Sequence, residues 1–88
     1  MNNKILINVD VPEIDCDYDL FIPVNELVWK VNKLVIKSIS DLSGIPLNTH
    51  DNYIFINKIT NKVYNSNEII VDTDIRNGTE LILYKLWM

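Results

Sequence analysis

The chain has 88 residues, 48% of them hydrophobic, with two glycines, one cysteine and a formal net charge of −4. That length predicts one domain spanning residues 1–88, and a chain of this size buries only about 60% of its unfolded surface, so it needs one efficient core. The acidic balance argues against a nucleic-acid surface, which needs clustered lysine and arginine, and the lone Cys16 excludes an internal disulfide framework and fits a reducing compartment.

The opening Met1-Asn2-Asn3-Lys4 leads into too short an apolar stretch for a signal peptide. No run approaches the ~20 apolar residues of a membrane span. These features predict a soluble, cytoplasmic protein with no direct membrane insertion.

Ile5, Ile7 and Val9 alternate with Lys4, Leu6, Asn8 and Asp10, the period of a strand over residues 4–10. Val11-Pro12-Glu13 interrupts it, because proline cannot donate to a ladder. Tyr18, Leu20 and Ile22 then alternate with Asp17, Asp19 and Phe21, so a second strand over residues 17–22 pairs back as a hairpin.

Pro23 stops that strand, and Asn25 offers a side-chain cap to a helix over residues 25–42. At about 100° per residue, Val24, Val28, Val31, Val35, Ile39 and Leu42 share one stripe, flanked by Leu27 and Leu34. Glu26, Lys30, Lys33, Lys37, Ser40 and Asp41 occupy the other side, which predicts a helix lying on a sheet. Its β-branched residues lower intrinsic propensity, so packing must hold it. Gly44 supplies a left-handed end and Pro46 prevents continuation.

Residues 53–57 predict a third strand and residues 62–65 a brief fourth, with Ile59-Thr60-Asn61 as the turn between them. Ile70 and Ile75, separated by Asp72-Thr73-Asp74, suggest a helical turn that tucks two apolar anchors under the sheet. Asn77-Gly78 is a strong turn signal. It also explains the formal glycosylation sequon Asn77-Gly78-Thr79. The last strand covers residues 79–86, with Leu81 and Leu83 on one face and Ile82 and Tyr84 on the other. The expected class is α+β: a mixed four- to five-stranded sheet with one long helix on one face, in β-grasp order.

No pair of groups suited to catalysis appears, and no cofactor is implied. Asp15, Asp17, Asp19 and Glu26 mimic positions 1, 3, 5 and 12 of a calcium loop, but Leu20 stands where the sharp turn needs glycine; a solvated acidic loop is the preferred reading. Cys16 lies between acids that raise a thiol pKa, and His50 has no second His or Cys for a metal; both read as incidental loop residues. Lys30, Lys33 and Lys37 read first as a solvated helix face and second as a contact for an acidic partner.

Apolar side chains on the wrong faces carry more information. Trp29 and Ile36 lie more than about 100° off the core stripe. Leu6, Phe21, Ile82 and Tyr84 take the outward parity of their strands, and Tyr53 and Phe55 are expected to join them with Ile54 and Ile56 inside. Together they predict one contiguous apolar patch on the open back of the sheet, a protein-binding surface. The candidate partner-binding residues are therefore Phe21, Phe55, Ile82, Tyr84, Trp29 and Ile36.

The segment from Ile70 to Leu83, with Ile75-Arg76-Asn77-Gly78 ahead of an alternating strand, resembles the ending of ubiquitin-like proteins. Asp17-Tyr18-Asp19-Leu20 before the helix, Asn57-Lys58 and Lys62-Val63-Tyr64 are similar to the bacterial YukD/EsaB family. That resemblance implies a small cytoplasmic, non-catalytic accessory protein of type VII secretion systems. It also implies a protein partner: the secretion ATPase, a membrane component, or a second copy of the chain. The ending Leu86-Trp87-Met88 lacks the Gly-Gly that conjugation requires, which speaks against the alternative of a sulfur carrier or modifier. An interaction module of some other complex is the remaining alternative.

Overall fold

In the computed structural model the described residues are 3–86. Met1-Asn2 and Trp87-Met88, on which the leader and tail expectations partly rest, lie outside the described residues. The elements run β1 (Lys4–Val11), β2 (Cys16–Pro23), α1 (Val28–Ser43), β3 (Tyr53–Asn57) and β4 (Glu80–Lys85), with single 3₁₀ turns at Pro12–Ile14 and Ile70–Asp72. The sheet order is β2-β1-β4-β3. β1 runs parallel to β4 and antiparallel to β2, and β3 runs antiparallel to β4. Four strands gripping one helix in this order form the ubiquitin-like β-grasp expected from the sequence.

The core lies between α1 and one face of the sheet. Val28, Val31, Val35 and Ile39 from α1 meet Ile7, Val9, Ile22, Leu81 and Leu83 from the strands. Burying such side chains supplies about 1.5–3 kcal/mol each against the entropy of ordering the chain. Ile70 and Ile75 close the end of this core, as their spacing suggested. The Thr73 hydroxyl locks the turn between them, donating to the Ile70 carbonyl and accepting from the Ile75 N–H. Gly44 ends the helix at φ 72°, and its N–H bonds to the Ser40 carbonyl. In residues 62–65 only an isolated bridge forms, between Val63 and Ile56.

Three local expectations are corrected. The helix starts at Val28 rather than Asn25, and no side chain caps it. The crossing segment does that work: the N–H groups of Val28 and Trp29 donate to the Glu68 and Ser66 carbonyls. These are orphan donors that any helix start must satisfy, here through backbone instead of asparagine. Leu42 was placed on the inner stripe and is exposed.

Ile36, expected on the surface, is 1% exposed. The chain after α1 folds back along its flank. Asn32 donates to the Tyr53 carbonyl, Lys33 to the Thr49 carbonyl, and Leu47 N–H to the Ser40 hydroxyl. This strap covers the side on which Ile36 sits.

Candidate functional site

The outer face of the sheet, away from α1, is laid out by strand register. Leu6 stands opposite Phe21, Asn8 opposite Asp19, and Asp10 opposite Asp17. Across the parallel junction Asn8 pairs with Glu80 and Asp10 with Ile82. On the other side Ile82 pairs with Ile56, and Tyr84 with Ile54. Directly opposite residues point to the same face, so the outer face has three zones. Leu6 and Phe21 form an apolar corner. Asn8, Asp10, Asp17, Asp19 and Glu80 form an acidic band. Ile54, Ile56, Ile82 and Tyr84 form an apolar quartet at the β3–β4 end.

One contiguous patch was expected, and this is the main correction. Phe21 is 64% exposed but lies across the acidic band from the quartet. Phe55 is 1% exposed and packs inward beside Leu83, and Tyr53 is buried with it. Ile54 and Ile56, assigned to the core, take the outer positions and are only partly covered.

The parity of β3 is set by Asn57, which shares the inner side with Tyr53 and Phe55. Its side-chain oxygen accepts from the N–H groups of Ile59 and Thr60, and its amide donates to the Tyr64 hydroxyl. An asparagine that anchors the following turn is content inside, and the three inward residues follow from it. Tyr84 is 43% exposed and Ile82 is half-buried. Of the six predicted partner-binding residues, Ile82 and Tyr84 lie together, Phe21 and Trp29 are exposed elsewhere, and Phe55 and Ile36 belong to the core.

Two polar clusters tie the ends of β3 to other parts of the chain. At one end the Tyr53 hydroxyl donates to Glu13 at 2.5 Å, and Lys85 bridges Glu13 at 3.4 Å and Asp51 at 3.0 Å. Burial and the Glu13 carboxylate push the Tyr53 phenol well above its ordinary range. The hydrogen bond to Asp51 raises the Lys85 ammonium. At the other end the Tyr64 hydroxyl donates to Asp74 at 2.6 Å, and burial together with that bond raises its pKa. Sequence reasoning missed both clusters, because each joins residues 10 to 72 positions apart.

Asp15 occupies the left-handed turn before β2, while Asp17 and Asp19 point from an extended strand and accept hydrogen bonds from Asn8. Glu26 pairs with Lys30 beyond the strand end. The 1-3-5-12 spacing therefore does not fold as a loop around an ion, and among the described residues no group of three or more His, Cys, Asp or Glu side chains is arranged to hold a metal. Cys16 is exposed, as is His50. No described helix is long and apolar enough to cross a membrane.

No protein-family model matches the chain, and no curated protein matches it in sequence. Solved structures do match. The N-terminal ubiquitin-like domain of the 4931431F19Rik protein superposes with a TM-score of 0.70 at 18% identity, covering 100% of this chain and 80% of that one. The C-terminal ubiquitin-like domain of human 2'-5'-oligoadenylate synthetase-like protein gives 0.65 at 18% identity, covering 98% and 87%. A chain of the MycP5-free ESX-5 inner membrane complex gives 0.69 at 13% identity. This chain is covered to 97% there but spans only 21% of the length of that chain. At these identities the likeness establishes a ubiquitin-like fold.

Proposed function

We propose that this chain is a non-catalytic, unconjugated ubiquitin-like adaptor that acts by protein–protein binding through the β3–β4 face. Its setting in this reading is the cytoplasm, as an accessory component of a bacterial type VII secretion system. One observation carries the binding role. Ile54, Ile56, Ile82 and Tyr84 form two directly opposed apolar pairs on the side of the sheet that α1 leaves open. These side chains gain further burial only under another chain, at about 25 cal/mol per Å². Aromatic and aliphatic residues grouped in this way are the usual anchors of an interface.

The secretion setting draws its support from the YukD/EsaB-like motifs and from the fold shared with a chain of the ESX-5 inner membrane complex. The expected partner is accordingly the FtsK-like ATPase of such a system or a membrane component next to it.

Ile82→Asp is the test. It places a charge at the centre of the quartet and leaves the inward Leu81 and Leu83 in place. The variant should melt near the native temperature and fail to co-purify the secretion ATPase or membrane component that the native chain retains. A folded variant that still binds as before moves the interface elsewhere.

A further inference from the structure

The helix has an exposed face that the β3–β4 reading does not use. On the side of α1 away from the sheet, Trp29, Lys30, Lys33, Leu34 and Lys37 line an open groove of about 540 Å³. Trp29 and Leu34 give it apolar surface, at 40% and 51% exposure. Its charged lining is three lysines against the single acid Glu26. The lysines are also positioned. Lys30 Nζ sits 5.6 Å from the Trp29 ring centroid, and Lys33 donates to the Thr49 carbonyl at 3.0 Å. A basic groove with an apolar floor, on a chain of net charge −4, selects an acidic surface that carries an apolar projection.

The opposite side of the same molecule is such a surface. The β1–β2 half of the outer sheet face presents Asp17, Asp19, Asp10 and Glu80, and Lys58 is paired to Asp10 at 3.7 Å. Phe21 projects at the rim of that band. We propose that the chain self-associates head to tail, with the α1 groove of one copy seated on the β1–β2 outer face of the next and Phe21 against Trp29 and Leu34.

Because the two surfaces lie on opposite sides, the contact is heterologous. It repeats into short rods or closes into a ring rather than stopping at a two-fold dimer. At about 0.1 M salt the screening length of ~10 Å preserves touching charges while muting the repulsion between whole molecules. The contact is therefore strongest near that salt and fails near ~1 M, where the length falls to ~3 Å.

Sedimentation velocity across a concentration series tests this. The native chain should rise about twofold or more in average mass with concentration near 0.1 M salt and return to monomer near ~1 M. Lys33→Glu with Lys37→Glu should be monomeric, and so should Asp17→Lys with Asp19→Lys. Each pair keeps one native surface, and the reversed charges of the two variants complement each other, so mixing the two proteins should restore association that starts from a heterodimer. Melting curves confirm that each variant folds; should the lysine substitutions unfold β2, Asp17→Asn with Asp19→Asn replaces them. A native chain that stays monomeric overturns the proposal and leaves the groove to an acidic partner. Charge variants that assemble like the native chain, or a mixture that forms no heterodimer, overturn it equally.

Discussion

The β1–β2 and β3–β4 halves of the sheet share one core and differ on the outside. β1 and β2 alternate over most of their length, with apolar residues inward and Asn8, Asp10, Asp17 and Asp19 outward, and only Leu6 and Phe21 break the outer pattern. β3 is apolar on both faces, with Phe55 under the helix and Ile54 and Ile56 on the open side. A strand that alternates declares its own orientation. A strand that is apolar throughout is oriented by what it meets, here the register with β4 and the turn anchored by Asn57. The acidic half presents carboxylates that water solvates, whereas the apolar half presents side chains that would gain burial under another chain.

The sharpest way to break this comparison is to delete the residue whose side of β3 is in question. Phe55→Ala should cost about 3–5 kcal/mol, since it opens a cavity beside Leu83. Ile54→Ala on the neighbouring outer position should cost well under half as much. Denaturant unfolding of both variants decides it. Equal losses would mean that the two faces of β3 are not distinguished as described.

Next in size is the turn that sets that orientation. Asn57→Ala removes acceptors for two backbone N–H groups and the donor to the Tyr64 hydroxyl. Losing partners for part-buried groups costs about 1–3 kcal/mol. The midpoint of urea unfolding should fall accordingly, and amide exchange should quicken at Ile59 and Thr60. A midpoint that does not move would show that Asn57 does not hold the turn.

Much of this architecture is legible in the residues alone. The inner stripe of α1, the inward Leu81 and Leu83, the tucked Ile70 and Ile75 and the stop at Gly44 all follow from periodicity or backbone preference. They are legible because the signal is local and one face is polar. β3 is not, because Tyr-Ile-Phe-Ile offers no polar phase, and its one polar neighbour, Asn57, points to the wrong face when read as a surface residue. Ile36 looks exposed on a helical wheel because the wheel knows nothing of the strap through Leu47 and Thr49. The candidate surface was half visible for the same reasons. Ile82 and Tyr84 follow from the alternation of the last strand against Leu81 and Leu83, but Ile54 and Ile56 need the cross-strand register.

The two halves are also tied together, and pH loosens that tie. Glu13 follows β1, while Tyr53 and Lys85 belong to β3 and β4. The Tyr53 phenol and Lys85 ammonium both have raised pKa values in the fold. The folded state then holds protons that the unfolded chain releases first, so stability falls as pH rises. This contribution is fully present below about pH 10, near the ordinary values of both groups, and declines above it. Tyr53→Phe should lose about 1 kcal/mol at neutral pH, for one hydrogen bond to a carboxylate partly open to water. It should also show a shallower alkaline decline. Melting curves from pH 7 to about 11 check both. An alkaline decline identical to the native one would remove Tyr53 from the cause, leaving Lys85 and Tyr64.

The smallest effect runs the other way and probes the acidic half. Asp10 and Asp17 stand directly opposite each other in the β1–β2 pair. Like charges so placed oppose the pairing that the strands otherwise favour, by about 0.2–1 kcal/mol. Asn8 and Lys58 offset part of this, through the bond from Asn8 to Asp17 at 2.8 Å and the ion pair of Lys58 with Asp10 at 3.7 Å. Asp17→Asn keeps an acceptor for Asn8 and removes the repulsion. It should therefore raise the melting temperature slightly, and the gain should shrink as salt is added, because both carboxylates are open to screening. The same change weakens the acidic band that the helix groove is proposed to meet. A variant more stable yet less associated would mean that the repulsion is retained for the contact it serves. A variant less stable at every salt concentration would mean that the Asp17 charge is itself part of what holds the hairpin.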